Sequence, residues 1–328
     1  MTTAKRIQYH RYGGPEVLRL EDFRPARPGP GEVLIRVKAA AANPMDRKIR
    51  NGEMKMLTGW KFPRGLGHDF AGVVVAVGDG VTRLGVGDEV LGGTGLKAAG
   101  AFAEMVVAEE KAVVTKPPNL SWEEAAAIPV VGLTAFQALV NTGELQAGQA
   151  VFIHGCLGGV GRSAAQIALA RGASVGGSCR DTAAHDARGL GINPIVDFDF
   201  DATKLAKRFD IVLDTAGTLP IGAAQALLKP GGRIIDINPT PAKFARSALP
   251  GPYRVLVGKP PWQTSMRSRR LPRRGCCGCR LRAACRSARR SRRSRSLNAH
   301  PRAESSSSRP SDHHPSPMRT SRADPAGK

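Results

Sequence analysis

The chain has 328 residues, which allows about two domains, and its 41% of hydrophobic residues is enough for a sizeable core. Its formal net charge of +22 is uneven: residues 262–328 hold 17 Arg and 1 Lys against three acids, which leaves +7 for residues 1–261. No run approaches the roughly 18 apolar residues of a membrane span, and the N-terminus lacks a secretion signal, so we expect a cytoplasmic protein. Only Cys156 and Cys179 lie within 1–261, which argues against a disulfide framework there.

The first part of the chain is rich in candidate strands. Apolar runs lie between Gly and Pro turns at 32–38, 71–77 and 102–108. Short strands with frequent turns predict a compact, barrel-like β domain, which we place at 1–120. The segment 116–119 contains two prolines and is typical of a linker.

Helical signals follow this linker. Ser121 and Glu124 have the spacing of a capping box, in which each side chain bonds the backbone N–H of the other residue. A second helix is predicted over about Leu133–Val140, with its end near Gly143. The change from strands to helices marks a second domain, which we place at 121–261.

From residue 150 onward, strand and helix patterns alternate. This spacing predicts an α/β fold with a doubly wound parallel sheet, whose ligands bind at the carboxyl ends of the strands. The six candidate strands are 150–154, 173–178, 194–198, 210–214, 232–238 and 253–257.

A glycine-dense turn, Gly155–Gly161, separates the first of these strands from a helical pattern. Glycines at 158, 159 and 161 would let backbone N–H groups approach a diphosphate, and the helix N-terminus favours an anion there. The alternative is a turn that needs glycine for steric reasons alone. The strand, turn and helix order favours a dinucleotide site. Cys156 lies just before the helix, and we expect inert packing there rather than a reactive thiol.

The end of the second strand of this sheet bears on the form of the cofactor. NAD-specific proteins place an acidic residue there, on the ribose 2′-hydroxyl. Here the residues are Ser178, Cys179 and Arg180, and a guanidinium can pair with a 2′-phosphate. NADPH is therefore favoured over NADH, although Asp181 stands one residue further on.

Residues 262–328 have a different composition, rich in Arg, Ser and Pro with almost no apolar periodicity. Such a segment cannot bury enough surface to offset its chain entropy, so we expect a disordered tail. One hypothesis is an out-of-frame translation, which would expose apolar barrel surface and leave a poorly soluble enzyme of low or absent activity. The other is an arm that binds nucleic acid or an acidic partner, with an affinity that falls steeply with salt.

Several ordered motifs resemble those of one family, the medium-chain dehydrogenase/reductases, and within it the zinc-free quinone oxidoreductase (enone reductase) branch. The resemblance implies a GroES-like β-barrel domain, a Rossmann domain and an active cleft between them. It also implies a small-molecule quinone or enone substrate and, in many relatives, a homodimer. The motifs are Ala42–Asp46, Gly67–Val74, Val86–Val90, Gly132–Ala138, Gly155–Gly161 and Leu228–Arg233.

The resemblance also implies roles for individual residues. The residues expected near the nicotinamide or its ribose are Asn43, Thr134 and Asn238. Those expected at the diphosphate are Gly158, Gly159, Val160 and Gly161. Asn43 is the candidate catalytic residue, with a turn that begins at Asn43-Pro44 as the alternative.

Zinc-dependent members of the family bind the catalytic metal through a cysteine of the first domain. This chain has no cysteine before Cys156, and His68 alone is a poor zinc site, so we expect no metal. Direct hydride delivery to an activated acceptor is then the accessible chemistry. Many relatives carry a tyrosine two residues after Asp46, where this chain has Lys48, so the proton donor stays unassigned. For Asp46 itself, a surface or domain-packing carboxylate and a catalytic role both remain open.

Overall fold

The computed structural model describes residues 3–238, 240–256 and 258. The basic tail predicted at 262–328, with both hypotheses about it, lies outside these residues. The described residues belong to one compact unit. The domain boundaries at 120 and 261 therefore remain predictions.

The first part of the chain forms two antiparallel sheets. A three-stranded sheet has the order β2-β1-β4, and a five-stranded sheet has the order β7-β3-β5-β6-β8. Alternate residues of the larger sheet, such as Val33, Ile35, Phe70 and Val74, bury a common apolar core. The strands are β1 Ala4–Tyr9, β2 Arg19–Phe23, β3 Glu32–Ala41, β4 Arg64–Gly65, β5 Asp69–Val77, β6 Glu89–Gly93, β7 Met105–Glu109 and β8 Val113–Thr115.

The three strands predicted in this part are confirmed, although β3 extends to Ala41, β5 begins at Asp69 and the third strand is shifted. The strand expected to begin at Phe102 begins at Met105. Phe102 instead exchanges backbone hydrogen bonds with the other sheet: its carbonyl accepts from Ile7 at 2.9 Å and its N–H donates to Leu66 at 2.9 Å. These bonds connect the two sheets, and a local apolar pattern cannot reveal such partners.

Short helices lie within and after the β part. The capping box at Ser121 is confirmed, since Ser121 N–H donates to Glu124 Oε2 at 2.9 Å and Glu124 N–H to Ser121 Oγ at 3.2 Å. The prediction that this helix starts at Leu133 was wrong. It begins at Pro129, a residue type that is favoured in the first turn of a helix. The helices are α1 Pro44–Arg50, α2 Lys55–Thr58, α3 Trp122–Ala126 and α4 Pro129–Phe136, which continues as a π-helix over Gln137–Thr142.

The second part forms the predicted six-stranded parallel sheet, in the order β11-β10-β9-β12-β13-β14. The strand order reverses between β9 and β12, which is where ligands bind in sheets of this kind. The strands are β9 Ala150–His154, β10 Ser174–Ser178, β11 Ile195–Val196, β12 Phe209–Asp214, β13 Leu228–Asp236 and β14 Tyr253–Val255. The α-helices between them are α5 Gly159–Ala170, α6 Ala184–Gly189, α7 Ile221–Leu227 and α8 Pro241–Ser247. Shorter 3₁₀ turns span Pro15–Val17, Glu110–Ala112, Asp181–Ala183 and Ala202–Leu205.

Both faces of the parallel sheet are covered by apolar groups. Val151 and Ile153 of β9 face one core cluster, whereas Phe152 between them faces the other. This is why β9 has a continuous apolar run and not an alternating one. Among the described residues, no helix is both long and apolar enough to cross a bilayer.

We predict that Ser121→Ala lowers the free energy of unfolding by about 1 kcal/mol, because it removes one half of the capping box. Urea unfolding followed by circular dichroism measures the change. Ser121→Asp keeps an acceptor for the Glu124 N–H and should stay near the wild type. Equal losses in both variants would contradict the role of the cap.

Candidate active site

A row of buried polar side chains lies across the carboxyl edge of the parallel sheet. His154, Ser178, Asp214 and Asp236 end four adjacent strands, and the strand register aligns them in neighbouring pairs. All four are buried. Of these four residues, only Ser178 was among the predicted site residues, although each is the final residue of its strand.

His154 connects this row to the glycine turn. Its Nδ1 lies 2.8 Å from Ser178 Oγ and its Nε2 lies 3.0 Å from Thr218 Oγ1. Ser178 Oγ also accepts the Gly155 N–H at 3.2 Å, so this hydroxyl bridges the imidazole and the turn. Burial lowers the pKa of His154, consistent with a neutral ring. The imidazole therefore orients the first residue of the turn.

The glycine turn has the shape that a diphosphate requires. Gly155 has φ +80°, a conformation that favours glycine. A Cβ on Gly161 would lie 2.2 Å from the Gly155 carbonyl oxygen, so only glycine fits there. Helix α5 begins at Gly159, and its first N–H groups lack partners within the helix. The turn can therefore hold an anion, and its residues fit a dinucleotide.

Cys156 is packed beneath this turn. Burial raises the pKa of its thiol to about 12, and the neighbouring Cys179 contributes. A Cβ on Gly177 would lie 2.7 Å from the Cys156 Cβ, so the thiol occupies space that a glycine leaves open. The packing role expected for Cys156 agrees with this geometry, since a thiol with so high a pKa is inert.

Two buried carboxylates shape the loops that follow β12 and β13. Asp214 accepts the N–H groups of Gly217 and Leu219 at 2.7 and 3.1 Å, and burial raises its pKa. Asp236 Oδ2 accepts from Tyr253 Oη at 2.9 Å and pairs with Lys243 Nζ at 2.6 Å. Both carboxylates thereby position the loops at the edge where the cofactor is expected.

The structure brings Asn238 close to the glycine turn. Asn238 Nδ2 donates to the Thr215 carbonyl oxygen at 3.3 Å, and Thr215 Oγ1 donates to the Gly155 carbonyl oxygen at 3.1 Å. Val160 lies half-buried against the core below α5. Arg180 is exposed, whereas Ser178 and Cys179 are buried.

A second polar cluster lies at the ends of α1 and β5. Asn43 precedes α1, and its N–H donates to Asp46 Oδ2 at 2.7 Å, while its Nδ2 donates to Asp69 Oδ2 at 3.0 Å. Asp46 Oδ1 lies 2.6 Å from His68 Nδ1, and Asp46, His68 and Asp69 are all buried. Asp46 is thus a buried partner of His68 and not a surface carboxylate.

Hydrogen bonds join Asn43 to Thr134, the two residues that the resemblance placed at one end of the cofactor. Asp69 accepts from Asn43 Nδ2 and also from the Val130 N–H at 3.1 Å. The Val130 carbonyl oxygen accepts from Thr134 Oγ1 at 2.7 Å. The next residue, Val131, contacts the glycine turn, since a Cβ on Gly159 would lie 3.0 Å from Val131 Cγ1. The contacts from Asn43 through Asp69, Val130 and Val131 to Gly159 therefore form one connected site.

Comparison with known proteins agrees with this architecture. Residues 29–118 match the alcohol dehydrogenase GroES-like domain. The chain is 33% identical over 246 residues to a chloroplastic quinone-oxidoreductase homolog of Spinacia oleracea, which covers 72% of this chain and 75% of that protein. A quinone oxidoreductase structure from Coxiella burnetii superposes with a TM-score of 0.71 at 31% identity, over 79% of this chain and 84% of that one. The structure of the Escherichia coli quinone oxidoreductase complexed with NADPH superposes with a TM-score of 0.67 at 26% identity, over 87% of this chain and 86% of that one.

Its similarity to quinone oxidoreductases, over a GroES-like domain and a Rossmann-like parallel sheet, makes this protein an oxidoreductase. Because it is similar to these proteins over most of its length, the chain belongs to the quinone-oxidoreductase-like family of the medium-chain dehydrogenase/reductases.

We predict that Gly161→Ala lowers the free energy of unfolding by about 2–4 kcal/mol, because its Cβ would clash with the Gly155 carbonyl. Chemical denaturation measures the loss, and nucleotide fluorescence should show weakened cofactor binding. Gly222→Ala is the matched control: it lies within α7 with open space around its Cβ position, so alanine should maintain or raise stability. A stable Gly161→Ala variant with intact cofactor affinity would refute the packing argument.

The buried Asp69 carboxyl gives a pH-dependent prediction. Its pKa is raised to about 6, mainly by burial, with an unperturbed value of 3.8. Between these values the unfolded carboxyl ionises while the folded one stays protonated, so the wild type loses about 3 kcal/mol as the pH rises through this window. Asp69→Asn should therefore gain about that much stability relative to the wild type between pH 4 and 7, with no further change above.

Urea unfolding of the wild type and Asp69→Asn at a series of pH values tests this prediction. Any effect of the substitution that does not depend on pH shifts the whole curve, so only the change in the free-energy difference with pH reports the Asp69 pKa. Asp79→Asn, at an exposed position, should give a curve parallel to that of the wild type. A parallel curve for Asp69→Asn would show that Asp69 is already ionised at low pH.

Proposed function

We propose that this protein is a zinc-independent, NADPH-dependent oxidoreductase that reduces a quinone or an α,β-unsaturated carbonyl compound. The connected site supports this most directly, because it links the glycine turn through Val131 and Asp69 to Asn43. Relatives described as quinone oxidoreductases, one of them complexed with NADPH, support the choice of acceptor and cofactor.

The residues of the turn would hold the cofactor through its diphosphate. The N–H groups at Gly159, Val160 and Gly161 open helix α5, and we assign Asn238 and Thr134, together with Asn43, to the nicotinamide end of the cofactor. When bound, the reduced nicotinamide supplies a hydride. The protein orients the acceptor and keeps water from the reacting groups.

The available metal-binding side chains support a zinc-independent reaction. Across residues 3–238, 240–256 and 258, no group of three or more His, Cys, Asp or Glu side chains could hold a metal ion. His68 and Asp46 are bonded to each other, and no thiolate lies near them in the β part, whose sequence has no cysteine. Zinc sites in proteins need three or four such ligands.

The choice of NADPH depends mainly on Arg180. The Ser178 hydroxyl is occupied by His154 and Gly155, and Cys179 is buried, so Arg180 is the exposed member of the three. Its guanidinium can form two parallel hydrogen bonds with a 2′-phosphate.

We predict that Arg180→Ala raises KM for NADPH by about tenfold or more, because a charge-assisted hydrogen bond is worth about 1.5–3 kcal/mol, and leaves KM for NADH nearly unchanged. The assay follows NADPH and NADH oxidation at 340 nm with a panel of quinones and enones.

Arg171→Ala is the matched control: it removes another exposed arginine, at the end of α5 and three residues before β10, and should leave both constants unchanged. A wild type that prefers NADH would overturn the choice of NADPH. A folded wild type that oxidises neither nucleotide with any acceptor would overturn the proposed activity.

The alternative is a cofactor-binding protein of impaired activity whose basic tail binds nucleic acid or an acidic partner. It depends on residues 262–328, outside the described part of the chain. This alternative, the cytoplasmic location and a homodimer all remain predictions.

A further inference from the structure

The imidazole of His68 has one engaged nitrogen and one free nitrogen. Nδ1 lies 2.6 Å from Asp46 Oδ1, and Asp46 Oδ2 accepts the Asn43 N–H. Nε2 is buried and has no hydrogen-bond partner among the described residues. Buried polar atoms nearly always have a partner, and leaving one unpaired costs about 1–3 kcal/mol. Nε2, unpaired among the described residues, is therefore available to bond a ligand atom or a water molecule.

The pairing with Asp46 determines what Nε2 can do. A carboxylate only accepts hydrogen bonds, so Nδ1 carries a hydrogen in both protonation states of the ring. Nε2 is then a bare lone pair in the neutral ring and an N–H donor in the charged ring. Asp46 compensates the positive charge of the second state, as the aspartate does in Ser-His-Asp sites.

The surroundings of His68 point the same way. Its carbonyl oxygen accepts the Thr94 N–H at 2.9 Å, and the Thr94 hydroxyl is a second buried polar atom without a partner among the described residues. The ionisable groups facing His68 are Asp46 from α1 and Asp69, the next residue of the chain. Asp69 also accepts hydrogen bonds from Asn43 and from α4, the helix that contacts the glycine turn.

On the basis of the proposed function, we infer that His68 is the proton donor of the reaction: Nε2–H donates to the carbonyl oxygen of the acceptor, and Asp46 positions the ring. The acceptor gains two electrons and a hydrogen as hydride from the reduced nicotinamide, which is oxidised. The oxygen gains its proton from Nε2 as the N–H bond breaks and an O–H bond forms. His68 is left neutral, and solvent returns the proton. This assigns the role that Lys48, in place of a tyrosine, leaves open.

The first test needs no turnover. p-Nitrophenol, whose phenolate resembles the oxyanion of a reduced quinone, is titrated into the protein with and without NADP⁺, and its absorbance reports ionisation. We expect the wild type to bind the phenolate form and to lower the apparent pKa of the phenol. His68→Gln should bind it about 10- to 100-fold more weakly, since it loses a charged donor. NADP⁺ affinity should be unchanged in this variant.

His185→Gln is the matched control, because it changes an exposed histidine on α6. Equal phenolate binding by wild type and His68→Gln would overturn the inference. A wild type that binds no NADP(H) would overturn the proposed function instead, and the titration without nucleotide would still decide the role of His68.

The second test uses the pH profile of kcat. The charged ring is the donor, so the wild-type rate should fall as the pH rises and the ring loses its proton. His68→Gln should lose about 10²- to 10³-fold in kcat together with this pH dependence, while KM for NADPH stays constant. Asp46→Asn should reduce kcat and shift the pH dependence, because an amide cannot compensate the charge, and Asp46→Glu should partly restore both.

Unchanged kcat and pH profile in a folded His68→Gln protein would contradict the inference. Activity that is lost on chelation and restored by zinc would contradict it as well, because Nε2 would then be a metal ligand.

Discussion

One buried carboxylate, Asp69, joins the two parts of this molecule at the position where chemistry is expected. It accepts hydrogen bonds from the Asn43 side chain on the barrel and from the Val130 N–H at the start of α4. The two donors lie far apart in the sequence, and each would be costly to bury unpaired. Burial raises the pKa of this carboxyl to about 6, so the protein maintains it against a considerable desolvation cost. The link between Asn43 and the start of α4 depends on this carboxylate.

The sequence predicted the architecture well because its strongest signals are local. Six strands, the glycine turn and the capping box at Ser121 depend on neighbouring residues, and all occur in the structure. The start of α4 was missed because Pro129 was not recognised as a first-turn residue. Phe102 was misplaced because its backbone partners, Ile7 on β1 and Leu66 just after β4, lie far from it in the sequence.

The candidate site was predictable only in part. Asn43 and Thr134 came from the resemblance, but the link between them runs through Asp69 and Val130, which no local pattern connects. The polar row at the sheet edge was missed for a similar reason. His154 and Asp214 are 60 residues apart, and only the parallel pairing of β9 with β12 places them side by side. Longer-range pairing of this kind is set by tertiary structure.

The close approach of Gly177 to Cys156 has a consequence for sequence variation in this protein. A side chain at residue 177 would place its Cβ 2.7 Å from the Cys156 Cβ and 2.8 Å from the Ile153 carbonyl oxygen. The second clash is with the backbone of β9, so a smaller residue at 156 would relieve only one of the two. Position 177 should therefore stay glycine in homologous chains, whatever residue stands at 156.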